Sequence, residues 1–155
     1  MVEFPHDKKP GSPKTPGESP RWHGIDHLGL AVPDLDEARD VFTRLLGFEV
    51  VEEEEVPDQR VKVVKLDAGG SDLELLQSTD PDGPIGRYVA KRGAGIHHLT
   101  VRVENLAERL RELEARGVEL IDREPRTGAG GKKIAFLHPR STAGILIELC
   151  EVDGA

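Results

Sequence analysis

The feature that most constrains this 155-residue chain is internal: one pattern of strands, helix and reactive side chains occurs in it twice. Ile25 to Val32 alternates like a half-buried strand and is closed by Pro33 and Asp34. Asp34 with Glu37 three residues on is a helix-start signature, Leu35, Ala38, Val41, Phe42, Leu45 and Leu46 recur at helical spacing, and Gly47 suits the stop. Strand-like runs follow at 48–53, 61–66 and 73–76, the last two joined by a turn of Asp67, Ala68, Gly69, Gly70, Ser71 and Asp72. The same order returns in a strand from His98 to Val103, the pair Asn105 and Glu108, the stripe Leu106, Leu110 and Leu113, a stop at Gly117, and runs at 118–121, 133–137 and 144–150. The expectation is an α+β fold of two tandem βαβββ modules, at 25–79 and 96–151, joined by a loop and short helix over 80–95. Two such half-open sheets pair about a pseudo-twofold axis into one mixed-sheet, barrel-like body over 23–152.

Pseudo-symmetry places equivalent inward residues opposite one another. His27 recurs as His98, 71 residues on (98 − 27), and Glu74 as Glu148, 74 residues on (148 − 74). His97 and His98 are adjacent, and strand side chains alternate faces, so only one of them points inward; the register of the first module selects His98. Glu74 stands between Leu73 and Leu75, and Glu148 between Ile147 and Leu149, so an inward carboxylate at either place needs a cation or a proton. Two imidazoles and two carboxylates suit one divalent ion per chain, Co²⁺, Mn²⁺, Ni²⁺ or Zn²⁺, and leave open positions on a six-coordinate one. His6, His23 and His138 lie outside this pattern.

Composition narrows the partners. A formal charge of −8 and a pI near 5.3 argue against a broad nucleic-acid or anionic-membrane surface, so an anionic ligand must meet a local basic patch. The single cysteine, Cys150, permits no intramolecular disulfide and reads as a buried small hydrophobe in a reducing, cytoplasmic setting. Residues 1–22 form a Pro-rich tail with no apolar run resembling a targeting helix, and no later segment is apolar enough to span a bilayer. Glu52 to Glu55 reads as a solvated edge, because consecutive strand residues cannot converge on one ion. The segment Gly128 to Gly131 is not a phosphate loop, since Arg126 occupies the first glycine position; it reads as a mobile turn beside the site, a possible lid.

The run from Asp26 to Leu35, the pair His97 and His98, and the stretch from Arg126 to Pro139 resemble the methylmalonyl-CoA epimerases of the vicinal oxygen chelate (glyoxalase) superfamily. The resemblance spans about Ile25 to Glu151, and the Gly-Ala-Gly-Gly-Lys segment, the Ser141 turn and the pair Pro84 and Ile85 narrow it to the epimerases. It implies His27, Glu74, His98 and Glu148 as metal ligands, with Co²⁺ the first choice of ion. It also implies an acyl-CoA substrate, Glu148 as acid/base on one face of an enolate, and Glu74 on the other. Lys132, Lys133 and Ser141 are expected at the substrate, with Arg140, Lys91 and Arg92 available for the CoA phosphates, and the family suggests a homodimer. Some epimerases carry Gln at the position of Glu74 and a catalytic Glu at that of Val63, so here the second acid/base is open.

Three other readings share the scaffold. Glyoxalase I uses a similar ligand set but is disfavoured by the lysine segment. A protein that sequesters drugs in an apolar groove has no use for four symmetric ligands, and aromatic content here is only 4%. An extradiol dioxygenase needs two His and one carboxylate, one ligand fewer than this set.

Overall fold

The computed structural model describes residues 22–152. The first half runs β1 (Ile25–Ala31), α1 (Leu35–Asp40), β2 (Glu49–Val56), β3 (Val61–Asp67) and β4 (Asp72–Ser78). Helix α2 (Pro84–Arg92) leads to β5 (Gly95–Val103), α3 (Leu106–Ala115), β6 (Arg126–Thr127), β7 (Lys133–Phe136) and β8 (Ile147–Glu151). All eight strands form one mixed sheet in the order β2-β3-β4-β1-β5-β8-β7-β6. β1 and β5 pair antiparallel at its centre, and each has its module's last strand parallel on its outer side. The sheet curls: Val63 of β3 and Ile134 of β7, near its opposite ends, line one cavity.

Alternation along each strand builds the body from two faces. On β3, Val61 and Val63 join Ala31, Val56, Leu76 and Ile85 on the concave side, while Val64 and Leu66 pack with Leu75 beneath Leu35 of α1. In the second half, Val103, Leu106, Leu110, Ala135, Leu137 and Leu149 form the matching layer against α3. Both helices thus cover the convex face and leave the concave face for the site.

Four expectations are corrected in detail. Residues 118–121 supply only a bridge between Leu120 and Leu137, and the β6 strand is Arg126–Thr127. The reason is local: Phe136 N–H donates to the Asp122 carboxylate at 2.8 Å, so a side chain takes a ladder bond that a neighbouring strand would otherwise accept. Asp34 caps α1 as expected, accepting from Glu37 N–H, but Asn105 makes no side-chain cap and sits at φ 47°. The first N–H of α3 donates instead to Glu151 of β8 at 3.2 Å, a tertiary cap. Beyond α1 the chain widens into a π-helical turn, Val41–Leu45, which rotates the apolar stripe so that Leu45 and Leu46 are 67% and 61% exposed. Finally, β8 begins at Ile147 rather than Gly144, which takes φ 84° in the preceding turn. The proline-rich tail lies outside the described residues apart from Trp22.

Candidate metal centre

Register places the site on the four central strands. Glu74 of β4 stands opposite Gly29 of β1, and Glu148 of β8 opposite Thr100 of β5. Across the central pair, His27 faces Thr100 and His98 faces Gly29. Gly29 lies two residues after His27 as Thr100 lies two after His98, so the four side chains obey the pseudo-twofold relation.

All four come together around His27 Nε2, which lies 2.7 Å from Glu74 Oε2, 3.3 Å from His98 Nε2 and 3.4 Å from Glu148 Oε1. His27, Glu74 and His98 each offer a donor atom within 4.8 Å of the other two, and all three are buried. Glu148 stands slightly apart, accepting from Thr100 Oγ1 at 2.8 Å, a bond the sequence did not announce. The enclosed cavity they line holds about 20 Å³, room for a single ion or water. Buried imidazole nitrogens beside buried carboxylates fit a divalent cation, which would replace the protons that now balance them.

The two equivalent positions beside the histidines have diverged for packing reasons. A methyl group on Gly29 would lie 2.1 Å from His98 Cε1, so the ring of His98 occupies the space a side chain would need. Thr100, fully buried, instead bridges Glu148 and His27, with Oγ1 3.0 Å from His27 Nε2.

Supporting residues lie just behind. His27 Nδ1 is 2.8 Å from Asp26 Oδ2, which leaves Nε2 to face the cavity. Asp26 also accepts from Arg102 Nε and Lys132 Nζ, each at 3.0 Å. His98 Nδ1 is 3.0 Å from His97 Nδ1, and Phe136 stands edge-on to the His98 ring. Asp26 and His97 were visible in the sequence only as neighbours of expected ligands, and Lys65 of β3, with Nζ 3.8 Å from Glu74 Oε1, was missed altogether. The signal for Lys65 was its strand parity: it shares a face with Val61 and Val63.

Other expected residues are placed as follows. Lys132 lines the cavity, but Lys133 points away to Glu151 at 3.5 Å. Ser141 Oγ accepts from Glu119 N–H at 2.8 Å, outside the cavity, and Arg140 pairs with Glu119 at 3.6 Å. Lys91 and Arg92 line an open groove of about 550 Å³ with Arg87, walled by His97 and His98. A second cavity of about 200 Å³, reaching from His98 to Phe136 and Arg126, adjoins both. The acidic run is not uniformly solvated: Glu53 pairs with Arg39, but Glu52 turns towards Lys65 at 3.5 Å and Glu54 accepts from Gly130 N–H. Through that last bond the glycine turn crosses from the second module to the edge of the first. Ala129 of the turn lines the enclosed cavity.

The electrostatics follow from burial and partners. Burial opposes charge on His27, but Asp26, Glu74 and Glu148 outweigh it and push its pKa up to about 9. Burial raises the Glu148 carboxyl to about 7, against the pull of His27 and Thr100. Burial, with the charge of its neighbours His27 and His97, holds His98 well below the usual imidazole range. Asp26 is buried, yet His27, Lys132 and Arg102 keep its carboxyl well below the ordinary value.

These shifts set the pH dependence of the metal-free protein. His27, raised when folded, contributes stability that is full below about 6.5 and lost as pH rises through about 9. Glu148, also raised, favours the folded state in its protonated form and loses that advantage between about 4.5 and 7. His98, lowered when folded, contributes the opposite slope below about 6.5, so chelator-treated protein should melt at progressively lower temperature only as pH rises from about 6.5 to 9. Co²⁺, which displaces both protons, should raise the melting temperature more at pH 8.5 than at pH 6; a pH-independent increment would contradict this balance of charge.

Comparison with known proteins agrees with the fold. Residues 26–136 match the model of the glyoxalase/bleomycin resistance protein/dioxygenase superfamily, and the chain belongs to that superfamily. Within it, the relatives are chiefly methylmalonyl-CoA epimerases. The mitochondrial enzyme of Bos taurus is 36% identical over 137 residues, 86% of this chain and 78% of that one. An uncharacterized Bacillus subtilis protein, YqjC, is 42% identical over 130 residues, 84% and 93% of the two chains. The crystal structure of methylmalonyl-CoA epimerase from Mycobacterium tuberculosis superposes with a TM-score of 0.83 at 34% identity, covering 88% of this chain and 93% of that one.

Proposed function

We propose that this protein interconverts (R)- and (S)-methylmalonyl-CoA by removing and returning the α-proton in a metal-dependent reaction. The observation that carries this reading is the convergence of His27, Glu74, His98 and Glu148 on one ion-sized cavity in a chain similar over most of its length to such epimerases. When bound by these four side chains, a divalent ion, Co²⁺ first among the candidates, would polarise the thioester and carboxylate oxygens that flank the acidic carbon.

The chain's own residues supply the proton transfers. Glu148, held by Thr100 and rendered more basic by burial, takes the α-proton while the C–H electrons move into the thioester carbonyl. Inversion requires return from the opposite face. Val63 has no proton to give, and Asp26 is engaged by three donors, so Glu74 is the remaining carboxylate of the cavity, acting directly or through water. The CoA phosphates are assigned to Arg87, Lys91 and Arg92 on α2, with the acyl group reaching His98 through the adjoining cavity. No helix among the described residues is long and apolar enough to cross a membrane; a cytoplasmic homodimer is proposed on the family resemblance alone.

The deciding experiment is ¹H NMR of methylmalonyl-CoA in D₂O with protein stripped by chelator and reloaded with Co²⁺ or Mn²⁺. Exchange and epimerisation should depend on metal and vanish in His98→Ala. No exchange with any divalent ion would end the epimerase reading.

A further inference from the structure

Lys65 is a lysine with its side chain 91% removed from solvent, on the concave face of β3, a place where a cation needs a reason. Its register partner is Glu74, and Nζ lies 3.8 Å from Glu74 Oε1 while Glu74 Oε2 lies 2.7 Å from His27 Nε2. The two oxygens of Glu74 therefore face different neighbours. Lys65 is absent from the lining of the enclosed cavity, so it acts on the site only through Glu74. Its other partner, Glu52 at 3.5 Å, is 43% exposed and holds the ammonium only weakly. Of the three carboxylates of the site only Glu74 meets Lys65: Asp26 is held by Lys132, Arg102 and His27, and Glu148 by Thr100 and His27.

We propose that Lys65 is a positioning residue that keeps Glu74 Oε1 away from the metal, so that Glu74 binds through Oε2 alone, and that its fixed charge leaves the centre more positive. Two carboxylates neutralise a divalent ion; the added ammonium suits a substrate carboxylate and the negative charge that develops beside it. This inference rests on the metal-binding part of the proposed function.

Because a fixed positive charge repels a divalent ion, Lys65 lowers metal affinity while supporting turnover, and this opposition of signs is the test. Titration of chelator-treated protein with Co²⁺, followed by its visible absorption, should show Lys65→Met binding the ion about tenfold more tightly. Its kcat should fall about tenfold, with Lys65→Arg restoring both values. Lys62→Met, at an exposed position on the convex side of the same strand, should match the unsubstituted protein in both. A role in packing alone predicts the reverse: affinity unchanged or weaker in Lys65→Met, in step with lost activity, and that result would overturn the proposal. If Lys65→Met melts too low to titrate, Lys65→Gln keeps a polar group without charge and is read by the same criterion. The Co²⁺ titration needs no substrate, so it decides the role of Lys65 even if the unsubstituted protein proves inactive on methylmalonyl-CoA.

Discussion

Replacing Glu148 by Gln should lower kcat for methylmalonyl-CoA epimerisation by about 10³-fold, within the range that a positioned acid/base group contributes. The substitution keeps the shape of the side chain and an oxygen that Thr100 Oγ1 can still donate to, so the local packing survives. What disappears is the lone pair that accepts the α-proton, which burial makes more basic than an ordinary carboxylate. KM should change much less than kcat, because the lost interaction belongs to the transition state. Metal content, measured on the same sample, separates two meanings of a dead variant. Loss of turnover with Co²⁺ retained identifies a proton-transfer group; loss of both together would reduce Glu148 to a ligand and move the chemistry elsewhere in the cavity.

The second large effect comes from a residue with no chemistry of its own. Gly29→Ala should weaken Co²⁺ binding by more than about 100-fold, since losing an oriented ligand costs at least what losing its outer support does. The added methyl would sit 2.1, 2.4 and 2.6 Å from Cε1, Nδ1 and Nε2 of His98. His98 has little freedom to yield, with His27, His97 and Phe136 all edge-on to its ring. The imidazole must leave the cavity or β1 and β5 must separate, and either breaks the ligand set. The strain of overfilling should also cost about 1–3 kcal/mol of stability, read as a lower melting temperature of the metal-free protein. Wild-type Co²⁺ affinity in this variant would show that His98 does not hold the ion.

Both predictions depend on residues of very different legibility. Glu148 and its counterpart Glu74 could be found by eye, because a charged residue between large apolar neighbours on a strand, repeated at matching places, is unusual enough to demand a partner. Gly29 could be quoted but not explained: its meaning lies in the ring that crosses it from β5, 69 residues away (98 − 29). Lys65 was overlooked because a lone lysine in a strand reads as solvated until the far edge of the sheet is known to curl over it. Asn105 misled for the complementary reason, since a capping residue is a local expectation and Glu151 of β8 supplied the bond from across the fold.

The sequence by itself determined the duplication, the parity that turns His27, Glu74, His98 and Glu148 to one face, and the starts of the helices at Leu35 and Leu106, because periodicity is a property of neighbouring residues. Only the tertiary structure decided what those side chains meet. It gave His27 its carboxylate at Asp26, divided Glu74 between His27 and Lys65, left Lys133 and Ser141 outside the cavity, and laid the glycine turn on Glu54. Apart from the adjacent pair Asp26 and His27, each of those contacts joins segments distant in the chain, and their distances depend on how eight strands twist and close, which no local pattern records.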